Sequence, residues 1–378
     1  MSSALDDAVP SRKEGWLTLA EAGPRIRPRA LGRAELESLS PTKKDAYDLE
    51  RRVWHANIGP LRTPQMAAVH EDLWDIVDSN LQDGDKVKGA AAIDAYPGLG
   101  KTTAALAFAR DFHRREVGLH GKYTSDGHEH LPVCRIGLGA NTTIKGLNQA
   151  ILEFYGHPGA AGRYSSTTTS QLASQALDCI LSCRSRLLVV DDVHFLDVRS
   201  RDGLEVSNPL KWLANEFPVT FLFVGVSLRE RGLMSEGMTT KDQAIAQTAR
   251  RWTRLTITPF TLAGEAEKEA WRNLLLGIEK NLVLADLEPG ILADELSSYL
   301  FARTTGHIGS LMTLINRGAQ RAIQRGEERL SRELLDSVKI DDAAEQARQP
   351  LQAALDSGRL TSRPRALRKT PTARGAST

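Results

Sequence analysis

The chain is poor in cysteine and in long apolar stretches. Its 378 residues include 3 cysteines, too few for a disulfide framework, which favours a reducing compartment. Cys179 and Cys183 lie four apart on a predicted helix, but no second Cys/His pair accompanies them, and buried thiols are favoured over a metal site. The longest apolar run, 219–228, covers about half of a bilayer, and no N-terminal signal peptide is visible. We therefore expect a cytoplasmic protein without a membrane span.

Net charge is also low, at +2, and the composition of 41% apolar and 25% charged residues is that of an ordinary soluble protein of two or three domains. The charge is unevenly distributed, because 357–378 contains basic residues and no acids. The basic positions are Arg359, Arg363, Arg365, Arg368, Lys369 and Arg374. Together with the interspersed Pro and small residues they predict a basic disordered tail over 346–378. Such a tail either attracts nucleic acid or simply solvates the chain.

The most informative motif is Ala95-Tyr96-Pro97-Gly98-Leu99-Gly100-Lys101-Thr102, between an apolar run and a helix-favouring run. It matches the phosphate-binding loop G-x-x-x-x-G-K-[ST], except that Ala95 stands where the first Gly is expected. In such a loop Lys101 places its charge on the β/γ phosphate oxygens and the Thr102 hydroxyl coordinates Mg²⁺. Ala95 either restricts the start of the loop or shows that this position needs no glycine.

A second motif, Leu187-Leu188-Val189-Val190-Asp191-Asp192, has the character of a buried parallel strand that ends in two carboxylates. It reads as a Walker B strand, in which Asp191 holds Mg²⁺ through water and Asp192 polarises the attacking water as general base. The predicted cofactors are ATP and Mg²⁺, with Thr102 and Asp191 on the metal. The residues predicted to bind the cofactor are Tyr96, Pro97, Gly98, Leu99, Gly100, Lys101, Thr102, Thr103 and Asp191.

Apolar strand-like runs alternate with helical patterns up to Pro259, which predicts an α/β fold with a parallel, doubly wound sheet. The predicted strands are 87–94, 132–138, 186–191, 218–226 and 255–258, and the predicted helices between them are 102–116, 143–155, 170–182 and 207–215. After Pro259 the predicted elements are the helices 264–282, 289–303, 307–325 and 331–345.

These patterns divide the chain into four predicted parts. Residues 1–60 form an N-terminal extension with one helix over 42–55. Residues 61–260, which begin with a capping Thr63-Pro64, form the α/β nucleotide-binding domain. Residues 261–345 form a small helical domain, and the tail follows.

Two further features complete the predicted site. Ser227 lies at the tip of the predicted strand 218–226, where a polar side chain can sense the γ-phosphate. Arg250 and Arg251 close a polar helix that ends at Trp252, just before the last strand. Presented to a neighbouring subunit, either arginine would act as an arginine finger. The alternative is a surface Arg pair favoured by the dipole at a helix end.

In this order the motifs resemble an AAA+ ATPase with a helical lid. Further stretches resemble TniB-family transposition ATPases, relatives of TnsC and of the Mu-phage target-DNA protein. These stretches are Lys13-Glu14-Gly15-Trp16, Trp54-His55-Ala56-Asn57, Arg62-Thr63-Pro64-Gln65, Asp191-Asp192-Val193-His194 and Thr305-Gly306-His307-Ile308-Gly309-Ser310-Leu311. The resemblance extends over about 13–345 and leaves out the tail.

The resemblance implies an ATP-bound protein that assembles along duplex DNA as a ring or helical homo-oligomer. It implies recruitment of a DDE-type, TniA-like transposase and loading by a TniQ-like adaptor. Two positions depart from the AAA+ pattern. Asp192 replaces a Glu and reaches one methylene less far, so we expect a slow, regulatory ATP hydrolase. Gly309 stands where many lids carry an arginine. Arg250 or Arg251 of a neighbouring subunit is therefore expected to provide more of the charge stabilisation.

In the architecture of this family, segments after the first two core strands face DNA. Here they carry Arg114, Arg115, Lys122, Thr142, Thr143 and Lys145. A hydroxyl and an amine at a helix N-terminus suit phosphate oxygens, although Thr143 is equally an ordinary residue at a helix start. Two other functions fit the motifs: a helicase loader or replication-initiator ATPase, and a signalling NTPase that binds only protein. DNA-stimulated hydrolysis separates the transposition function from the signalling one, and a neighbouring transposase gene separates it from the loader.

Overall fold

The computed structural model describes residues 9–82, 88–160, 167–196, 217–228, 230 and 252–364. These residues divide into two compact units, one formed by 9–24 with 64–258 and the other by 25–63 with 259–364. Among the described residues, no helix combines the length and the apolar character needed to cross a bilayer.

The helices and strands are numbered in chain order. The helices are α1 (Lys13–Glu21), α2 (Arg33–Glu37), α3 (Pro41–Ala56), α4 (Pro64–Ser79), α5 (Lys101–His120), α6 (Ile144–Tyr155), α7 (Thr169–Ser182), α8 (Glu265–Glu279), α9 (Ser297–Thr304), α10 (Ile308–Arg325), α11 (Arg332–Asp336) and α12 (Asp342–Asp356). The strands are β1 (Ala90–Asp94), β2 (Val133–Gly137), β3 (Leu187–Asp191), β4 (Thr220–Gly225) and β5 (Trp252–Thr256).

The first unit is built on a parallel sheet whose described strands have the order β2-β3-β4-β1-β5. Every residue of β1, β3 and β4 is buried, as expected for central strands covered by helices on both faces. After β1 the chain crosses over β4 and β3 to form β2 at the edge of the described sheet. It then returns through β3 and β4 toward β1, so the order of strand addition reverses. In open α/β sheets, ligands bind at the carboxyl ends of the strands at such a reversal.

Helix α1 is attached to α5 through a buried aromatic contact. Trp16 is fully buried, and its Nε1–H donates to Nδ1 of His113 over 3.2 Å. On another part of α5, Phe108 packs against Trp74 of α4 with ring centroids 4.9 Å apart. Burial lowers the pKa of His113 to about 4, which keeps the imidazole neutral and able to accept the indole N–H.

The second unit is helical and has a core of its own. Helix α10 buries one apolar face in this core, including Leu311, Ile315 and Ala319. Helix α3 is anchored in the same unit by Arg51, which makes two 2.6 Å hydrogen bonds to the Glu328 carboxylate. Both side chains of this pair are 1% exposed, and Arg51 also pairs with Asp48 of its own helix over 2.6 Å, so two carboxylates compensate the buried guanidinium.

The units differ from the predicted domains at both ends. The predicted extension 1–60 is shared: 9–24 pack with the sheet unit and 25–63 with the helical unit. The predicted helix 331–345 is two helices, α11 and α12, each with its own capping side chain at Ser331 and Asp341. Since α12 continues to Asp356, the predicted disordered tail does not begin at 346, and its end, 365–378, lies outside the described residues.

Candidate nucleotide-binding site

The loop between β1 and α5 has the conformation required to surround phosphates. Gly98 has φ +76° and Gly100, the residue before α5, has φ +83°, a region in which side chains other than glycine are strained. Ala95 is not among the described residues with a positive φ. Its backbone N–H instead donates to the Gly225 carbonyl of β4 over 3.4 Å. The first position of the motif therefore needs no glycine here.

Lys101 is held at the N-terminus of a 20-residue helix. Its Nζ donates to the Tyr96 carbonyl over 3.0 Å, so the side chain folds back over the loop. Burial lowers the pKa of Lys101, and the carboxylates of Asp191, Asp192 and Asp94 oppose that shift. The unpaired N–H groups of the helix end and the ammonium group together make an anion-binding site.

Asp191 ends β3 and is 4% exposed. Its Oδ1 lies 3.3 Å from the Thr102 hydroxyl, which donates to it, and accepts the Asp192 backbone N–H over 3.0 Å. Its Oδ2 accepts from Nη2 of Arg135 over 3.0 Å. The Thr102–Asp191 contact joins the two predicted metal ligands, which are 89 positions apart in the chain.

A hydroxyl beside a carboxylate is a donor set that fits Mg²⁺, which prefers hard oxygen ligands and usually takes few from the protein. The described residues contain no cluster of three or more His, Cys, Asp or Glu that would hold a metal by themselves. Bound Mg²⁺ would therefore complete its coordination with phosphate oxygens and water.

Asp192 is placed differently from Asp191. Its φ is +56°, a left-handed conformation that Asp tolerates better than most residues. Its side chain is 52% exposed, and the nearest ring nitrogen of His194 is 4.0 Å away. The exposed carboxylate of Asp192 has the access to water that a general base requires, and it lies next to Asp191, the buried predicted metal ligand.

Ser227 follows β4, which lies between β1, the strand before the phosphate loop, and β3, the strand of the second motif. Its φ is +53°, and the next residue, Leu228, donates its backbone N–H to Oδ1 of Asp94 over 3.0 Å. The other oxygen of Asp94 accepts from Nε of Arg254 over 3.1 Å. Asp94, the residue before the phosphate loop, is thereby tied to the segment after β4 and to the middle of β5.

Sequence reasoning missed Asp94, Arg254 and Arg135. Asp94 and Arg135 are charged residues inside apolar strand-like runs, where a buried charge needs a partner, whereas Arg254 precedes the apolar run 255–258 and its side chain is 40% exposed. That signal was readable for Asp94 and Arg135, although it does not say which partner each residue has.

Arg250 and Arg251 lie outside the described residues. Trp252, which was predicted to end a helix, is instead the first residue of β5. Its ring stacks on Phe223 of β4, with centroids 4.6 Å apart and planes 18° apart. This packing explains why Trp252 lies in a strand and not at a helix end, because aromatic side chains on strands pack well against side chains of the neighbouring strands. Gly309 is the second residue of α10, in the helical unit.

The predicted DNA-facing basic residues after β1 have partners within the first unit. Arg114 donates to the carbonyls of Ala20 and Ala22 over 2.8 and 2.6 Å. Arg115 pairs with Asp78 over 2.8 Å, and Lys122 pairs with Glu21 over 2.7 Å. These contacts give the three residues a structural role at α1 and α4.

The candidates after β2 lie at the start of α6. Thr143 caps that helix by accepting the Gly146 N–H over 3.2 Å, and Thr142 donates to the Gly139 carbonyl over 2.7 Å. Lys145 is partly exposed on the first turn. A cation and the backbone N–H groups of a helix start therefore lie close together here.

Residues 84–234 match the family model described as AAA domain. No curated protein matches the chain in sequence. Two solved structures from Aeropyrum pernix have a similar fold. The ORC1 protein in complex with DNA is 16% identical, with a TM-score of 0.52 over 80% of this chain and 70% of that one. The ORC2 protein, described as ADPNP-ADP complexes, is 15% identical, with a TM-score of 0.51 over 75% and 70%. The chain thus has an AAA+ P-loop fold, with an α/β core and a helical C-terminal region.

Proposed function

We propose that the chain is a slow AAA+ ATPase that binds duplex DNA without sequence preference and recruits a DDE-type transposase. The observation that carries the ATPase part is the meeting of Lys101 and Thr102 with Asp191, at the carboxyl ends of β1 and β3. The DNA and transposition parts rest on the resemblance to TniB-family ATPases. That resemblance also supports a homo-oligomer, as ring or filament, and a TniQ-like adaptor.

The proposed mechanism assigns one task to each side chain. Lys101 binds the β/γ phosphate oxygens, and Thr102 and Asp191 would hold Mg²⁺, which neutralises phosphate charge when bound. Asp192 accepts a proton from the attacking water while the terminal phosphoryl group is transferred to the oxygen of that water. Ser227 senses that group, and Arg250 or Arg251 of an adjacent subunit stabilises the transition-state charge.

Nucleotide binding is tested by calorimetry with the non-hydrolysable analogue ADPNP. Lys101→Ala should abolish measurable binding, because the phosphates lose a charge-assisted bond from the loop. Lys43→Ala, which removes an exposed lysine of α3 in the other unit, is the matched control and should bind as the unchanged protein does. Equal ADPNP affinity in the Lys101 and Lys43 variants would remove the nucleotide-site assignment.

DNA binding is proposed to use the start of α6. Lys145 remains available to phosphates, whereas Arg114, Arg115 and Lys122 have internal partners. The hydroxyls of Thr142 and Thr143 also have partners, at Gly139 and Gly146. Phosphate contacts position a protein on DNA without reading its sequence. They also make binding steeply dependent on salt, because condensed counterions are released.

Fluorescence anisotropy with random-sequence duplexes, with and without ADPNP, tests this proposal. Affinity should require nucleotide and be the same for unrelated sequences. Lys145→Gln should lower the salt slope by about 1. Arg12→Gln, which removes an exposed charge of the same unit, is the control for net charge. A slope that is unchanged in the Lys145 variant would place the DNA contacts elsewhere.

A replication-initiator or helicase-loader function is the second candidate, because the two similar solved folds are ORC proteins. The two functions differ in the partner that acts on the ATP-bound, DNA-bound state. A DDE transposase encoded beside the gene should bind the ATP-bound, DNA-bound protein. It should then direct strand transfer to the DNA that this protein covers. If the rate and the position of strand transfer are the same with and without the protein, the initiator function is favoured. Hydrolysis that duplex DNA does not change would favour a protein-binding NTPase.

A further inference from the structure

Arg135 is a charged residue in the otherwise mostly apolar strand β2. Its neighbours in β2, Val133, Cys134 and Ile136, are buried and apolar, and its own side chain is 16% exposed. Residue Gly137 of β2 is paired with Asp191 of β3. Arg135 lies two positions earlier, so both project on the same face of the sheet. A Cβ atom at Gly137 would lie 3.8 Å from Nη1 of Arg135, so the guanidinium fills the space beside this glycine.

The guanidinium neutralises the one buried carboxylate of the predicted metal site. Nη2 of Arg135 bonds to Oδ2 of Asp191 over 3.0 Å, on the oxygen that Thr102 does not contact. The Nε of Arg135 is buried and has no hydrogen-bond partner in the described part of the chain. Asp191 is thus the partner to which this cation is directed.

We propose that Arg135 competes with the divalent cation for Asp191. In the nucleotide-free protein it offsets the carboxylate charge, so that the site holds no Mg²⁺ until phosphate oxygens arrive with it. The inference rests on the proposed nucleotide function and deepens it, because it makes metal binding conditional on nucleotide binding.

An orienting role for Arg135 is the competing explanation, and the hydrogen bonds of Asp191 argue against it. Without Arg135, the Oδ1 atom of Asp191 would still accept the Asp192 N–H and the Thr102 hydroxyl. The carboxylate would therefore remain in place with its full charge. Because a guanidinium and a divalent ion repel each other strongly in a poorly solvated site, charge removal should strengthen metal binding.

The test measures ADPNP affinity by calorimetry, once with excess Mg²⁺ and once with EDTA. The ratio of the two dissociation constants reports how strongly metal and nucleotide reinforce each other. In Arg135→Gln this ratio should fall about tenfold, equivalent to about 1.4 kcal/mol, because Mg²⁺ would then also bind the nucleotide-free protein, while the ADPNP affinity in EDTA should equal that of the unchanged protein. Arg135→Lys, which keeps the charge, should retain most of the original ratio. Arg184→Gln, which removes an exposed arginine of the same unit, should leave it unchanged.

Three outcomes would overturn the inference: an unchanged or higher ratio in Arg135→Gln, a weaker ADPNP affinity in EDTA, or equal ratios in the Gln and Lys variants. Weaker affinity in EDTA would mean that Arg135 contacts the phosphates or orients the groups that bind them. If the unchanged protein binds no ADPNP under either condition, the proposed function itself fails, and this result is distinct from a failure of the role of Arg135.

Discussion

Acidification should destabilise the first unit through His113. The imidazole is 1% exposed and accepts the indole N–H of Trp16, and burial lowers its pKa to about 4 from an ordinary 6.5. Between these two pH values the unfolded chain binds a proton that the folded chain excludes. The stabilising contribution is therefore fully present above pH 6.5 and is lost as the pH falls toward 4.

The size of the effect follows from the two pKa values. At pH 7 the unfolded imidazole is mostly neutral, so the excluded proton has almost no effect on stability. At pH 5 the unfolded imidazole is charged and the folded one is mostly neutral. Integration of the proton-binding difference between pH 7 and pH 5 gives a loss of about 2 kcal/mol in the free energy of unfolding. That is a large fraction of the 5–15 kcal/mol typical of folded proteins.

Urea unfolding at pH 7 and pH 5, followed by tryptophan fluorescence, measures this loss. His113→Gln keeps a side-chain oxygen that can accept from Trp16 but cannot titrate, so its loss between the two pH values should be smaller by about 2 kcal/mol. His128→Gln removes an exposed imidazole from the same unit and should leave the contribution of His113 in place. The reasoning is refuted if the His113 and His128 variants lose the same stability on acidification.

Three other perturbations test separate parts of the molecule. Asp192→Asn should lower ATP turnover about 10²–10⁴-fold while calorimetry finds ADPNP affinity retained; unchanged phosphate release would mean that another group is the base. Arg251→Ala mixed with Lys101→Ala should regain ATPase activity that each lacks alone, because mixed interfaces pair an intact loop with an intact finger; co-assembly without activity would return Arg251 to a surface role. Glu328→Gln removes the more deeply buried of the two carboxylates that pair with Arg51 and leaves Asp48, so it should destabilise the helical unit by about 1–3 kcal/mol in urea unfolding; a loss below about 0.5 kcal/mol would contradict that expectation.

The phosphate loop and the Walker B strand were predictable because each is a local pattern. The α/β core that contains them is confirmed by the AAA domain match and by the parallel sheet. The position of Ser227 between the two motifs also follows, since the order of strands in such sheets is restricted. The pairing of Arg135 with Asp191 could not be predicted, because the partners are 56 positions apart and many acids could have served.

Element boundaries in the C-terminal part were partly readable. Ser331 and Asp341 are both good capping residues, and each does cap a helix. The apolar periodicity continues from α11 into α12, so the sequence pattern predicts one helix over 331–345 and not the two that are present. Pro350 indicates the end of a helix, yet it lies inside α12, where packing outweighs its local cost.

The link between Arg51 and Glu328 has a consequence for the biosynthesis of the protein. The partners are 277 positions apart, so at 5–20 residues per second a ribosome needs roughly 14–55 s to make the second after the first. During that interval α3 has left the exit tunnel with Asp48 as a partner of Arg51 but without Glu328. The sheet unit, complete by residue 258, can fold while the helical unit still waits for its last segments. A nascent-chain truncation that stops before residue 328 should therefore contain a protease-resistant sheet unit and a protease-sensitive α3.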